Sequence, residues 1–290
     1  MSSYECSFAS MGTSWRVVVW DDIPEPTFRA LEQTIRAYCS IFDHTYSRFI
    51  EHSLVNALAQ SSGTHEVPQE FVEILKLYQQ FFLASHKLVT PLVGATLSDM
   101  GYDAAYTLKP KKVIRRVPDF LASVQIIDNR HIVLNENTLI DIGAIGKGFA
   151  VDAITHILEQ KKIEHYLVDG SGDIRYKGPE AITIGLEHPK DASKVIGSVA
   201  FISGAMCSSA TNRRAWNGSH HIINPLTNKS ADTIIASWVI AESAAIADGL
   251  ATALFLCSPE NFFDHFSFEY LLLNSEMKVK RSQGFTAELY

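Results

Sequence analysis

Two segments carry residue types suited to phosphate and cation chemistry. One is Asp141-Ile142-Gly143-Ala144-Ile145-Gly146-Lys147-Gly148 with Asp152 behind it, and the other is Ala247-Asp248-Gly249-Leu250-Ala251-Thr252. Asp248 and Thr252 are four residues apart in a stretch of helical character, so a carboxylate and a hydroxyl share one helix face. The same stretch is otherwise apolar (Ala244, Ala245, Ile246, Leu250, Ala253, Leu254), and a carboxylate there is costly unless paired or metal-bound. Glycines 143, 146 and 148 permit positive φ and close ligand approach, and the helix start that follows offers N–H groups to an anion. Their G-x-x-G-x-G spacing is neither the dinucleotide fingerprint nor the P-loop, so taken alone the turn is equally well a structural corner. Combined with hard oxygen ligands, it points to a divalent-cation and phosphate site.

Weaker signals surround this pair. Gly170-Ser171-Gly172-Asp173 is a hairpin corner before it is a nucleotide loop. His220 and His221 are adjacent at a strand edge and point to opposite faces, so they do not chelate one metal together. One of them is suited to acid–base work, since an ordinary imidazole titrates near pH 6.5. Arg213 and Arg214 either bind phosphate or sit in solvent, and solvent is the simpler reading. Phe49 is core packing or a platform for a flat ring system.

These residues need elements to hold them. Trp15 to Trp20 reads as a strand, and Phe28, Leu31, Ile35 and Tyr38 mark an amphipathic helix over 25–41. A second helix is expected over 69–86, opened by Pro68 and Glu70. Residues 124–127 and 132–134, separated by Asp128-Asn129-Arg130, predict a hairpin. A helix is expected from Phe149 to Gln160, strands at 166–169, 174–176, 182–186, 197–202 and 234–241, and a helix from about Ser243 to Leu256. The interleaving lacks βαβ regularity, which favours an α+β fold with a largely antiparallel sheet and packed helices.

Bulk properties narrow the function classes. The 290 residues are 47% hydrophobic, enough to bury a large core, and the formal charge is −7. The densest basic stretch, Lys109, Lys111, Lys112, Arg115 and Arg116, lies between prolines and reads as a solvated loop, so no nucleic-acid partner is expected. No window is apolar enough to span a membrane, and no signal-peptide pattern opens the chain, so no membrane association and a cytoplasmic location are expected. Cys6, Cys39, Cys207 and Cys257 are scattered without a CxxC pair.

In order along the chain, these segments resemble the FAD:protein FMN transferase (ApbE-like) family. The matching pieces are Met11-Gly12-Thr13, Tyr46-Ser47-Arg48-Phe49, Thr90-Pro91-Leu92-Val93-Gly94, Asp141 to Asp152, Val168 to Arg175, His221 to Thr227 and Asp248 to Thr252. The resemblance implies a single ApbE-like (T-fold-like) domain over residues 1–290. It implies an Mg²⁺-dependent enzyme, with Mn²⁺ as the alternative ion, that cleaves the FAD pyrophosphate, places FMN on a Thr or Ser hydroxyl of an acceptor flavoprotein and releases AMP. It further implies Asp248, Thr252 and the Ala144 carbonyl as metal ligands, with Asp248 also catalytic. Asp141, Lys147, Leu88, Val89 and Thr90 would border FAD, Met11 and Phe49 would lie near its rings, and Ile223 would line the pocket. His221 is the implied acid–base residue. Thr90 stands where the family has Asp, Asn224 where Asp is common, and Asn228-Lys229 where a Gly follows Thr227. Competing readings are an FAD pyrophosphatase, a non-catalytic flavin-binding module and a phosphoesterase for other nucleotides.

Overall fold

A computed structural model describes residues 3–290. An eight-stranded antiparallel sheet forms its centre, and its strands lie side by side in chain order: Tyr4–Ser10, Thr13–Val19, Tyr166–Asp169, Asp173–Lys177, Gly204–Ala210, Ile234–Ala241, Phe268–Asn274 and Val279–Arg281. The helices are α1 (Glu25–Tyr46), α2 (Leu54–Leu58), α3 (Gln69–Ala84), α4 (Gly94–Asp99), α5 (Phe120–Ser123), α6 (Gly146–Gln160) and α7 (Ala244–Ala253). All but α7 sit in the single excursion between the second and third strands of the sheet. That excursion also holds a small antiparallel sheet in which His131–Leu134 pairs with both Val124–Ile126 and Gly63–Glu66.

Strand periodicity sends alternate side chains to two different cores. Val17, Val19, Tyr166, Val168, Ala205, Cys207, Val239 and Leu272 face the helices. Val18, Leu167, Met206, Trp238, Leu271 and Leu273 face the hairpin of strands Ile182–His188 and Asp191–Phe201, whose Leu186, Val199 and Phe201 complete a second core with Phe285. Both faces of the sheet are covered, which is why Val17-Val18-Val19 reads as a continuous apolar run rather than as alternation. On the helical side α3 buries Phe71, Ile74, Leu75, Tyr78 and Phe81, each worth about 1.5–3 kcal/mol relative to exposure.

Most expected elements are present with shifted ends. α1 continues to Tyr46, α3 closes at Ala84, and α6 starts at Gly146 rather than Phe149, so two of the glycines lie inside its first turn. The expected hairpin at 124–134 is present, and the strand expected at 197–202 is the second half of Asp191–Phe201. Strands Tyr4–Ser10, Gly204–Ala210 and Phe268–Asn274 have no counterpart among the expected elements. Gly204–Ala210 (GAMCSSA) has no β-branched residue, and pairing on both of its edges imposes the extended state. The basic stretch is not a plain solvated loop: Lys111 Nζ (2.8 Å) and Arg115 Nε (2.6 Å) converge on the buried carboxylate of Asp99 and pin the segment to α4. No helix among the described residues is long and apolar enough to cross a membrane.

Candidate active site

The two chemistry-bearing segments meet where α6 crosses α7. A Cβ on Gly148 would lie 2.1 Å from the Ala244 carbonyl oxygen and 2.8 Å from the Asp248 Cβ, so only glycine permits this approach. At the contact the Gly148 N–H donates to Asp248 Oδ2 (3.0 Å) across a hundred residues of chain. In a regular helical turn that N–H would go to the carbonyl four residues back, which is Ala144. Ala144 O therefore receives no backbone donor among the described residues. The junction is closed from the other side by Asp152, whose two oxygens accept the Ala244 and Ala245 N–H groups (2.9 Å each) at the start of α7. Asp152 is thus a helix cap.

Two residues hold the glycine turn in shape. Tyr78, on the buried face of α3, donates its hydroxyl to Asp141 O and accepts the Ala144 N–H, both at 3.3 Å. Its burial raises the phenol's proton affinity, so it stays a neutral donor. Arg48 is buried, and its Nε donates to Asp141 Oδ2 at 2.6 Å while its guanidinium lies 4.2 Å from the Phe49 ring centroid. The other Asp141 oxygen accepts the Gly143 N–H at 2.7 Å. With both oxygens engaged inside the protein, Asp141 organises the turn as well as bordering the cavity. Lys147, one residue before Gly148, pairs with the fully buried Asp173 and reaches to 3.9 Å from Asp248.

A cavity of about 300 Å³ opens against this junction. Leu88, Val89, Thr90, Asp141, Ala144, Lys147, His221, Ile223, Asp248 and Thr252 all line it. A second chamber of about 460 Å³ adjoins it, and Met11 and Phe49 line that one. Every site residue expected from the sequence thus borders one chamber or the other. Met11 and Gly12 both have positive φ (52° and 69°) and form a two-residue hairpin turn that aims the segment at the chamber. Thr90 Oγ accepts the Leu92 N–H (3.2 Å), capping the turn Pro91–Val93, so the hydroxyl standing where the family has Asp has an internal partner. Asn228 has φ 56°, and Asn tolerates the left-handed region where glycine is otherwise used. Gly170–Asp173 is the hairpin corner, and Ser171 at its tip still borders the first chamber.

The adjacent histidines separate because the strand Ser219–His220 ends between them and His221 lies in the bend that follows. His220 turns inward to the Ala231 carbonyl (2.6 Å), and His221 faces the chamber with its Nδ1 buried and, among the described residues, lacking a hydrogen-bond partner. Enclosure first, and the nearby Arg214 charge second, push the His221 imidazole down to about 3, so it is uncharged at neutral pH. A histidine whose folded-state pKa lies below its unfolded value of 6.5 adds nothing to the pH dependence of stability above 6.5 and costs stability as pH falls from there toward 3. His220 shifts in the same direction by burial. Thermal melts of H221N across pH 3–7 are accordingly expected to show a shallower acid decline than the parent, and an unchanged slope would contradict the enclosure.

Sequence reasoning gave no site role to Tyr78 or Arg48, and favoured solvent over phosphate binding for Arg214. Tyr78 carries the same signal as any apolar helix position. Arg213 and Arg214, expected in solvent, both line the two chambers; Arg213 pairs with Glu187 at 3.0 Å.

The donors at the junction suit a hard divalent cation. Asp248 is buried, which raises its proton affinity; the Lys147 charge, the Gly148 N–H and Arg214 oppose that shift. A bound cation would relieve the cost of ionising it. Among the described residues, Thr252 Oγ has only a 3.5 Å contact to Ser209 Oγ, and Ala144 O is without a backbone donor. No group of three or more His, Cys, Asp and Glu side chains able to hold a metal occurs among the described residues. Mg²⁺ needs none, because it binds through one or two carboxylates, waters and substrate phosphates.

Proteins resembling this chain are consistent among themselves. A curated FAD:protein FMN transferase of Klebsiella pneumoniae is 24% identical over 278 residues, covering 87% of this chain and 77% of the relative. That of Vibrio cholerae is 28% identical over 236 residues, covering 75% and 68%. Among solved structures, the ApbE protein of Thermotoga maritima superposes with TM-score 0.86 at 25% identity, covering 98% of each chain. The flavin transferase ApbE of Vibrio cholerae does so with TM-score 0.79 at 20% identity, again over 98% of each chain. The fold is therefore the ApbE fold, a mixed helical and mostly antiparallel architecture. With residues 11–269 matching the ApbE family model, from the Met11 turn to the strand after α7, this chain belongs to the ApbE family.

Proposed function

We propose that this chain, acting as one domain, is an FAD:protein FMN transferase that moves FMN onto a Thr or Ser hydroxyl of an acceptor flavoprotein and releases AMP. The observation that carries the reading is the α6–α7 junction, where the Gly148 N–H is diverted to Asp248 and the Ala144 carbonyl is left for another ligand. Asp248, Thr252 and Ala144 O would hold Mg²⁺ or Mn²⁺, which supplies charge neutralisation at the pyrophosphate oxygens. The family relationship and the names of the relatives support flavin transfer rather than generic phosphoester hydrolysis.

The chain's own residues account for the remaining steps. Leu88, Val89, Thr90 and Ile223 would border the adenosine end in the first chamber, and Met11 and Phe49 the flavin rings in the second. The pyrophosphate then spans the shared wall beside Asp141 and Lys147. His221, which lines the first chamber, would take the proton of the acceptor hydroxyl as its oxygen attacks the flavin-side phosphorus. A phosphoester P–O bond forms, the bridging P–O bond breaks, and its electron pair leaves on the AMP phosphate. Positioning in a partly closed cavity does most of the work, as expected for phosphoryl transfer.

Incubation with FAD, Mg²⁺ and an acceptor flavoprotein is expected to produce a fluorescent protein band in a denaturing gel, with equimolar AMP. FMN and AMP formed at the same rate without acceptor would make the chain an FAD pyrophosphatase. FAD binding with no turnover would make it a flavin-binding module. Replacing His221 with Gln is expected to slow transfer by about 10²–10⁴-fold with FAD affinity retained; transfer at the parental rate would remove His221 from the mechanism.

A further inference from the structure

Arg214 stands apart from the other cations of the cavity wall. Arg48 is committed to Asp141, Lys147 to Asp173 and Arg213 to Glu187. Arg214 lines both chambers, and among the described residues its guanidinium has no carboxylate partner; its side chain lies 6.0 Å from the Tyr102 ring centroid. Its backbone carbonyl accepts the His221 N–H at 3.2 Å, which fixes its distance from the acid–base residue. It shares the wall of the first chamber with His221 and Asp248, the centre where transfer would occur.

We propose that Arg214 binds the flavin-side phosphate of the dinucleotide, the phosphate that becomes the product ester. This deepens the transferase reading and rests on it. The aromatic stack of Phe49 and Tyr106 (ring centroids 5.2 Å apart) belongs to the second chamber, and Asp248 and Thr252 belong to the first. Arg214 lies on the boundary, where a phosphate joined to a ring system in the second chamber must pass. A guanidinium presents a planar fork of N–H donors matched to phosphate oxygens, and one without an internal partner forfeits no ion pair on binding. As the acceptor oxygen closes on phosphorus, the same donors would offset charge on the non-bridging oxygens.

The test is equilibrium binding of FAD, FMN, riboflavin and AMP, with Mg²⁺ and no acceptor, to the parent chain, R214Q and R214K. R214Q is expected to weaken FAD and FMN by about tenfold or more and to leave riboflavin and AMP within about twofold, with R214K recovering part of the loss. Unchanged FAD and FMN affinity would overturn the proposal. An equal loss for riboflavin would make Arg214 a packing residue, and a loss for AMP in place of FMN would assign it to the other phosphate; both overturn the proposal. Failure of the parent chain to bind FAD would overturn the transferase reading instead. Arg214 is only partly buried and has no ion-pair partner among the described residues, so R214Q is expected to melt with the parent.

Discussion

Replacing Asp248 with asparagine is expected to slow FMN transfer by about a thousandfold or more, as loss of several kcal/mol of charge stabilisation implies. Asparagine is the informative substitution because its amide oxygen still accepts the Gly148 N–H that ties α7 to α6. It removes the charge without removing the junction. Stability is expected to hold or rise at neutral pH. The carboxyl's proton affinity is raised by burial, so any stability from Asp248 is present below its ordinary pKa of 3.8 and is lost as pH rises through the higher folded-state value. Burial makes the ionised form of Asp248 a liability to the fold that function retains. Transfer assays paired with thermal melts separate the two effects. Transfer within about tenfold of the parent would remove Asp248 from the cation site and with it the proposed chemistry.

Gly148→Ala is the second large effect, and it acts on stability and activity together. The added methyl would meet the Ala244 carbonyl at 2.1 Å, a backbone atom that cannot rotate away. α6 and α7 must separate, and overpacking of this kind costs about 1–3 kcal/mol, measurable as a lower denaturant midpoint. Separation also lengthens the Gly148–Asp248 hydrogen bond and shifts Ala144 against Thr252. Misplacement of about 1 Å can cost about 10²-fold in rate, so transfer should fall further than the stability loss alone explains. A variant with parental stability and rate would show that the helices need not approach so closely. The free Ala144 carbonyl would then lose its structural cause.

Much of the site was legible because its chemistry is local in sequence. The i, i+4 spacing of Asp248 and Thr252 in an apolar helix is a signal that periodicity alone exposes. The order of motifs from Met11 to Thr252 identified the family. Other residues were hidden because their sequence signals are ordinary. Tyr78 occupies a core position of an amphipathic helix, and its hydroxyl finds Asp141 and Ala144 only after folding. Asp152, just behind the glycine turn in sequence, gives both of its oxygens to the start of α7. Lys111 and Arg115 looked solvated because their partner, Asp99, is separated from them by a loop that only folding closes.

Local patterning by itself determined which residue types were available and most of the elements that carry them. Side-chain period and glycine placement act over a few residues and do not depend on the rest of the chain. Tertiary structure decided which polar groups remain free for a ligand. That outcome depends on partners drawn from distant segments: Asp173 occupies Lys147, Glu187 occupies Arg213, Arg48 occupies one Asp141 oxygen, and Asp248 diverts the Gly148 N–H from Ala144. Among the described residues, a free carbonyl at Ala144 and an unpaired guanidinium at Arg214 follow from hydrogen-bond accounting across the fold, which no local window contains.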